Sequence, residues 1–196
     1  MRKYTIISPA SRWVVVDKLR PLNPIGYIPP DLVHVTIAST FSTTLRREAN
    51  AALVTMQAAF KKSHPSYGLV VHSAYRSYKT QQAVWDGDYN LTAKPGYSEH
   101  QTGWAVDLGA KSGKCSIYEC FGALTEGVWL AANSYKYGFI LRYPKGMQNV
   151  TGFQYEPWHF RYVGVELATE MHNRGIKTLE QFFGLPNAPK YNRWGH

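Results

Sequence analysis

Ser98-Glu99-His100-Gln101-Thr102-Gly103-Trp104-Ala105-Val106-Asp107 is the run from which the rest of the chain can be read. It follows the turn-forming stretch Lys94-Pro95-Gly96-Tyr97, which sets His100 on a loop entering a strand. From Gly103 to Gly109 the residues alternate, and a period of two puts Gly103, Ala105 and Asp107 on one face. The small side chains at Gly103 and Ala105 leave that face open to a ligand between His100 and Asp107. Trp104, Val106 and Leu108 point the other way, into a core. Alone, His100 and Asp107 also have a plain structural reading: a satisfied core histidine and a buried aspartate paired with an arginine.

A second stretch, Glu156-Pro157-Trp158-His159, tips that balance. Two imidazoles, one aspartate and a spare glutamate form the donor set of a catalytic zinc site, with three protein ligands, an open fourth position and a base nearby. A structural zinc site takes a fourth protein ligand, commonly a thiolate. In an ideal strand Glu156 and His159 would face opposite sides. Pro157 lacks an N–H and marks a strand start or a bulge, so a kink there is expected to return Glu156 to the face of His159. Trp158 and Phe160 would then anchor the strand in the core. The chain contains no HExxH run, which excludes the helix-borne zincin arrangement. Glu99 is the rival base. Its neighbour His100 must face the metal, and adjacent residues of an extended chain diverge, so Glu156 is preferred.

Periodicity predicts an α+β fold: a small antiparallel sheet with helices on one face and the zinc site on the other. Residues 1–40 are proline-rich, with Pro21, Pro24, Pro29 and Pro30, and are expected to wrap the surface. Leu45, Ala49, Leu53, Met56 and Phe60 recur at helical spacing between Thr44 and Lys62. Leu69-Val70-Val71 reads as a strand leading to Arg76, and Ser77 can cap a short helix carrying Gln81 and Trp85. Thr125 to Tyr137 reads as a helix ended by Gly138. Phe139 to Tyr143 and Trp158 to Val163 are expected to be neighbouring strands. A helix from Gly164 to Arg174 should stop at Gly175, with a last short helix before Gly184. At 196 residues the chain fits one domain, with a core at 41–184 and a tail at 185–196. Such a length buries about 70% of the unfolded surface, so metal is not needed merely to fold.

The joint pattern SxHxxGxAxD and ExWH resembles the VanY-type D-alanyl-D-alanine carboxypeptidases. These are zinc peptidases of bacterial cell-wall peptides that share their fold with the hedgehog signalling domain. The likeness runs from Pro24 to Gly184. It takes in Ser73-Ala74-Tyr75-Arg76-Ser77-Tyr78 with Gln81, and Arg161-Tyr162-Val163-Gly164. It implies that His100, Asp107 and His159 bind Zn2+, that Glu156 is the general base, and that Arg76 stabilises the oxyanion. Ser98 and Gln81 match positions that help to hold the substrate's terminal carboxylate. For Arg76 the lesser reading is an ion pair at a strand end, whereas Gln81 could equally be a polar residue on the solvent face of a helix. The implied reaction removes a terminal D-alanine from peptidoglycan stem peptides, as a D,D- or an L,D-carboxypeptidase. Peptidoglycan endopeptidases share the fold and stand as the alternative, followed by a zinc-binding module without catalysis. A monomer acting outside the cytoplasm or at the cell wall is expected.

Other features bear less on function. The net charge of +9 comes from 22 Lys and Arg against 13 Asp and Glu. The basic residues are scattered and carry no recognition motif, which argues against a nucleic-acid partner. The charge suits anionic cell-wall polymers and equally a solvated surface. No apolar run reaches the ~18 residues of a membrane span. Met1-Arg2-Lys3-Tyr4-Thr5-Ile6-Ile7 is basic without the apolar stretch of a signal peptide. Cys115 and Cys120 are the two cysteines; an exported wall enzyme favours a disulfide between them, although two free thiols fit the spacing as well. His34, His64, His72, His172 and His196 take structural readings, with His72 also near enough to the Arg76 turn to line a cleft.

Overall fold

A computed structural model of the chain describes residues 5–41 and 43–192. His196 and the first four residues of the basic N-terminus lie outside that range. Strands β1 (Leu32–His34) and β2 (Thr44–Arg46) form a two-stranded antiparallel ladder. Strands β3 (Leu69–Ser73), β4 (Ala105–Ala110), β5 (Phe139–Leu141) and β6 (His159–Tyr162) form an antiparallel sheet in the order β3-β4-β6-β5. The helices are α1 (Arg47–Ser63), α2 (Tyr78–Val84), α3 (Thr125–Asn133), α4 (Gln148–Thr151), α5 (Val165–Asn173) and α6 (Leu179–Phe183).

Alternation along the central strands sorts the two faces of the sheet. Val106 and Leu108 of β4 join Phe160 and Tyr162 of β6 in the main core, with Leu53, Met56 and Phe60 of α1. Phe60 meets Trp129 of α3 edge-on at 5.2 Å between ring centroids. Each such fully buried side chain contributes about 2–3 kcal/mol. On the opposite face lie Ala105, Asp107, His159 and Arg161. Helices α5 and α6 pack at the β5 end of the sheet, where Leu167, Met171 and Leu179 gather around Ile140. Ile140 pairs with Arg161, so this smaller cluster shares the side that carries the site.

Several elements differ from the sequence reading, each for a local reason. Thr44 to Arg46 is strand rather than the first turn of α1, because Leu32, Val33 and His34 pair with it. Ser77 does cap α2, its Oγ accepting from the Thr80 N–H, but Trp85 is the residue that ends the helix. The helix expected over 125–137 breaks at Asn133 and continues as a 3-10 turn at Ser134–Tyr137, closed by Gly138. The proline-rich N-terminal region does more than wrap the surface: Val14, Val16 and Leu22 are buried in the main core. β4 begins at Ala105 because Gly103, at φ +68°, ends a 3-10 turn spanning Glu99–Thr102. A Cβ there would also lie 2.8 Å from the Arg46 side chain.

Candidate active site

The sheet register brings the two motifs together. Asp107 lies directly opposite His159 on the neighbouring strand and opposite Ser73 on the other side. Antiparallel partners of this kind hold their Cβ atoms roughly 4.5–5.5 Å apart. His100 arrives from the 3-10 turn before β4, with its backbone carbonyl accepting from the Arg76 N–H. His100 Nε2 stands 3.1 Å from Asp107 Oδ2, and His159 Nδ1 stands 3.1 Å from Asp107 Oδ1. One donor atom from each of the three residues lies within 4.8 Å of the others, and all three side chains are buried.

The expected kink at Pro157 is a tight turn. The His159 N–H donates to the Glu156 carbonyl at 3.1 Å, and Pro157 occupies the second position of the turn, where its fixed φ is favoured. The reversal places Glu156 Oε2 3.7 Å from His159 Nδ1. Asp107, Glu156 and Glu99 line one cavity of about 180 Å3 together with Arg76, Gln81, Ser98 and the two histidines. Gln81 is therefore buried at the cavity rather than on a solvent face. Its Nε2 donates to the Ala93 carbonyl at 2.8 Å, leaving Oε1 unpaired. Ser98 makes no side-chain capping bond with the turn it begins. His72 lies outside this lining and covers Gly109, where a Cβ would sit 2.1 Å from its Nε2.

The donor set fits a zinc ion. Two imidazole nitrogens and one carboxylate are the donor types that zinc takes, and one donor atom of each residue lies within 4.8 Å of the others. The outer bonds also set the ring orientations. His100 Nδ1 lies 2.6 Å from the Ala74 carbonyl, a contact that makes Nδ1 the donor and turns Nε2 to the site. His159 does the opposite, placing Nε2 3.4 Å from Glu99 Oε2 and Nδ1 toward Asp107. Among the described residues Arg76 Nε, Gln81 Oε1 and Glu156 Oε1 are buried and unpaired. Buried polar atoms of this kind are costly unless a ligand completes them.

Glu99 has a role that the sequence reading passed over. Its Oε1 accepts from Arg142 Nε at 2.8 Å and Arg161 Nη1 at 2.6 Å, and Arg142 forms a two-bond pair with Glu180 of α6. All four side chains are fully buried, two cations against two anions. Arg161 Nη2 reaches back to the Arg12 and Val14 carbonyls, tying the N-terminal segment to the wall behind the site. The period of two that joins His159 to Arg161 was legible. The partners were not, since Glu99 and Arg142 are 43 positions apart.

Electrostatics divides the carboxyls. Burial would raise Asp107, but His100 and His159 outweigh it and hold the carboxyl far below its usual range. Glu99 is likewise held down, by Arg161 and Arg142 acting against burial. Glu156 goes the other way: burial pushes it up to about 8, with Asp107 assisting and His159 and Arg76 opposing. Burial would lower His159, yet its bonds to Asp107 and Glu99 raise it to about 9.

The model of the VanY family, described as D-alanyl-D-alanine carboxypeptidase, matches residues 42–165. The chain belongs to that family. YodJ of Bacillus subtilis (strain 168), named for an inferred carboxypeptidase activity, is 39% identical over 193 residues, covering 91% of this chain and 69% of YodJ. A D-alanyl-D-alanine carboxypeptidase of Enterococcus faecium is 38% identical over 116 residues, covering 58% of this chain and 35% of that enzyme. The VanY-family fold is shared with the LD-carboxypeptidase LdcB, at 38% identity and a TM-score of 0.83 over 91% of this chain and 88% of LdcB. It is also shared with a variant of the vancomycin-resistance D,D-pentapeptidase VanY in complex with Zn(II), at 27% identity and a TM-score of 0.70 over 87% and 97% of the two chains.

One consequence can be checked without substrate. In the metal-free protein the folded state holds a proton on His159 up to about pH 9 and on Glu156 up to about pH 8. The His159 contribution is complete below 6.5 and lost as pH rises through 9. The fold pays for a buried Glu156 increasingly as pH rises from 4.5 toward 8. Both changes weaken the metal-free fold toward alkaline pH, while metal ligands must shed their protons to bind. The difference in Tm between zinc-loaded and chelated protein should therefore grow between pH 6.5 and 9. A difference that shrinks over that range contradicts the assignment.

Proposed function

We propose that this VanY-family chain is a zinc-dependent carboxypeptidase that removes the terminal D-alanine from peptidoglycan stem peptides. The observation that carries the reading is the convergence of His100, Asp107 and His159 in one cavity with the Glu156 carboxyl, whose Oε1 is buried and unpaired. His100 Nε2, Asp107 and His159 Nδ1 would hold the zinc. What zinc supplies is Lewis acidity, which makes water a usable nucleophile near neutral pH. Glu156 takes a proton from the attacking water and returns it to the leaving amine. Arg76, buried and with Nε unpaired, is placed to stabilise negative charge on the carbonyl oxygen as the tetrahedral state forms.

Ser98 and Gln81 would bind the substrate's C-terminal end. The free atom of Gln81 is an acceptor, which suits a substrate N–H; the terminal carboxylate then falls to the Ser98 hydroxyl and to cationic Arg76. A cavity of about 180 Å3 suits a small terminal residue. Action outside the cytoplasm, as a single catalytic domain and a monomer, belongs to the same proposal.

The likeness to LdcB supports the L,D activity, and the family model with the VanY likeness supports the D,D activity. The deciding experiment offers pentapeptide and tetrapeptide stems separately to zinc-loaded and chelated protein, read by mass spectrometry. Loss of one alanine from the pentapeptide alone establishes the D,D activity, and loss from the tetrapeptide establishes the L,D activity. Internal fragments would replace the proposal with an endopeptidase. No chelator-sensitive change in either stem would refute it.

A further inference from the structure

The loop closed by the disulfide between Cys115 and Cys120 carries a feature that folding alone does not explain. Cys115 has φ +54° and Ile117 has φ +58°, two non-glycine residues in left-handed backbone within three positions. For a β-branched residue that conformation persists only where the surroundings impose it, and such residues gather at ligand sites. The covalent bridge supplies one constraint. Local bonds from Ser116 Oγ to the Gly113 carbonyl and from the Tyr118 N–H to the Cys115 carbonyl supply others.

The strained conformation has an outcome at the candidate active site. Ile117 lines the same cavity as His100, Asp107 and Glu156 while remaining 36% exposed. Its apolar surface is only partly removed from water in the free protein, so packing offsets the backbone cost only in part. Leu91, 38% exposed, lines the same cavity from the segment after α2. Beyond Cys120 the chain is firmly held: Phe121 is fully buried, and Gly122 lies so close to Tyr155 and Pro157 that a Cβ would meet the Tyr155 hydroxyl at 2.4 Å. The segment that follows the stapled loop is thus seated on the two residues that flank Glu156.

We infer that the staple exists to hold Ile117 over the cavity, where with Leu91 it forms an aliphatic rim that recognises the peptide upstream of the cleaved bond. The inference rests on the proposed peptidase function and adds a specificity element to it. Its ligand class is a peptide whose residues before the scissile bond present aliphatic surface. Integrity of the disulfide then sets substrate affinity, without either cysteine touching the substrate.

The test compares the stem that the unsubstituted enzyme trims with its two C-terminal residues alone, N-acetylated. Ile117→Ala should raise KM on the full stem about 3–10-fold, change kcat by less than about twofold, and leave the acetylated dipeptide unaffected. Ile117→Gly should raise KM likewise while keeping or raising Tm, since glycine accepts positive φ; a side chain that merely stabilised the fold would lower Tm. The double substitution Cys115→Ser with Cys120→Ser should raise KM on the full stem alone. An unchanged KM for Ile117→Ala, or an equal loss on both substrates, overturns the inference and leaves the peptidase reading intact. If the unsubstituted enzyme cleaves nothing, the peptidase reading fails by itself. Calorimetric binding of the pentapeptide stem to the zinc-loaded protein then decides this one, with equal affinity for the parent and Ile117→Ala refuting it.

Discussion

Glu156→Ala should retain near-stoichiometric zinc and lose about 10²–10⁴ in turnover, the usual cost of removing a general base. The carboxyl is 3.7 Å from the nearest His159 nitrogen, and its second oxygen is buried and unpaired. It is poised at the site without being one of the three converging donor groups. Elemental analysis separates the two roles: full zinc content with lost turnover identifies a base, and lost zinc would make Glu156 a ligand. Glu99→Ala is expected to be inactive for a different reason. It leaves Arg142 and Arg161 buried with only Glu180 between them, and breaking a buried pair costs about 3–5 kcal/mol. A depressed Tm distinguishes that variant from Glu156→Ala, whose fold should melt at or above the parent, since burial opposes ionisation of the lost carboxyl. Full activity in Glu156→Ala would transfer the role of base elsewhere.

Asp107→Ala should abolish tight zinc binding, with activity lost in parallel. The residue sits on the central pairing of the sheet, opposite His159, and its two oxygens reach the two imidazoles at 3.1 Å each. Losing an outer-shell partner of a metal ligand costs about 10–100-fold in affinity, and losing the one anionic ligand should cost more. The surviving imidazoles also lose the carboxylate that favours their protonated forms, raising His159 and opposing the lowering of His100 by burial, so their protons compete less while the metal would lose its only charge-neutralising ligand. Competition against a chelator measures the balance. Unchanged zinc affinity would show that the ligand set is wrong.

Much of the candidate site was legible because its chemistry is local. His100 and Asp107 lie in one run, Glu156 and His159 in another, and the odd spacing of the second pair was itself the signal for the turn at Pro157. The alternation through β4 separated Val106 and Leu108 from Asp107 without any structure. What escaped depended on partners far away in the chain. Gln81 was ambiguous because a seven-residue helix shows no clear apolar face; its burial and its bond to the Ala93 carbonyl are tertiary facts. Glu99 was legible as a carboxylate and not as the centre of a buried ion network, since both its guanidinium partners arrive on other strands or loops.

The sequence by itself determined the inventory of reactive groups, the strand alternation that presents them and the turn that returns Glu156 to its face. These follow from backbone periodicity and from proline's missing N–H, which act over a few residues. Tertiary structure alone decided that Asp107 pairs with His159, that Arg142 and Arg161 converge on Glu99, and that a stapled loop holds Ile117 over the cavity. Register, charge pairing in a dry interior and tolerance of strained backbone are set by the packing of distant segments, and no local rule encodes them.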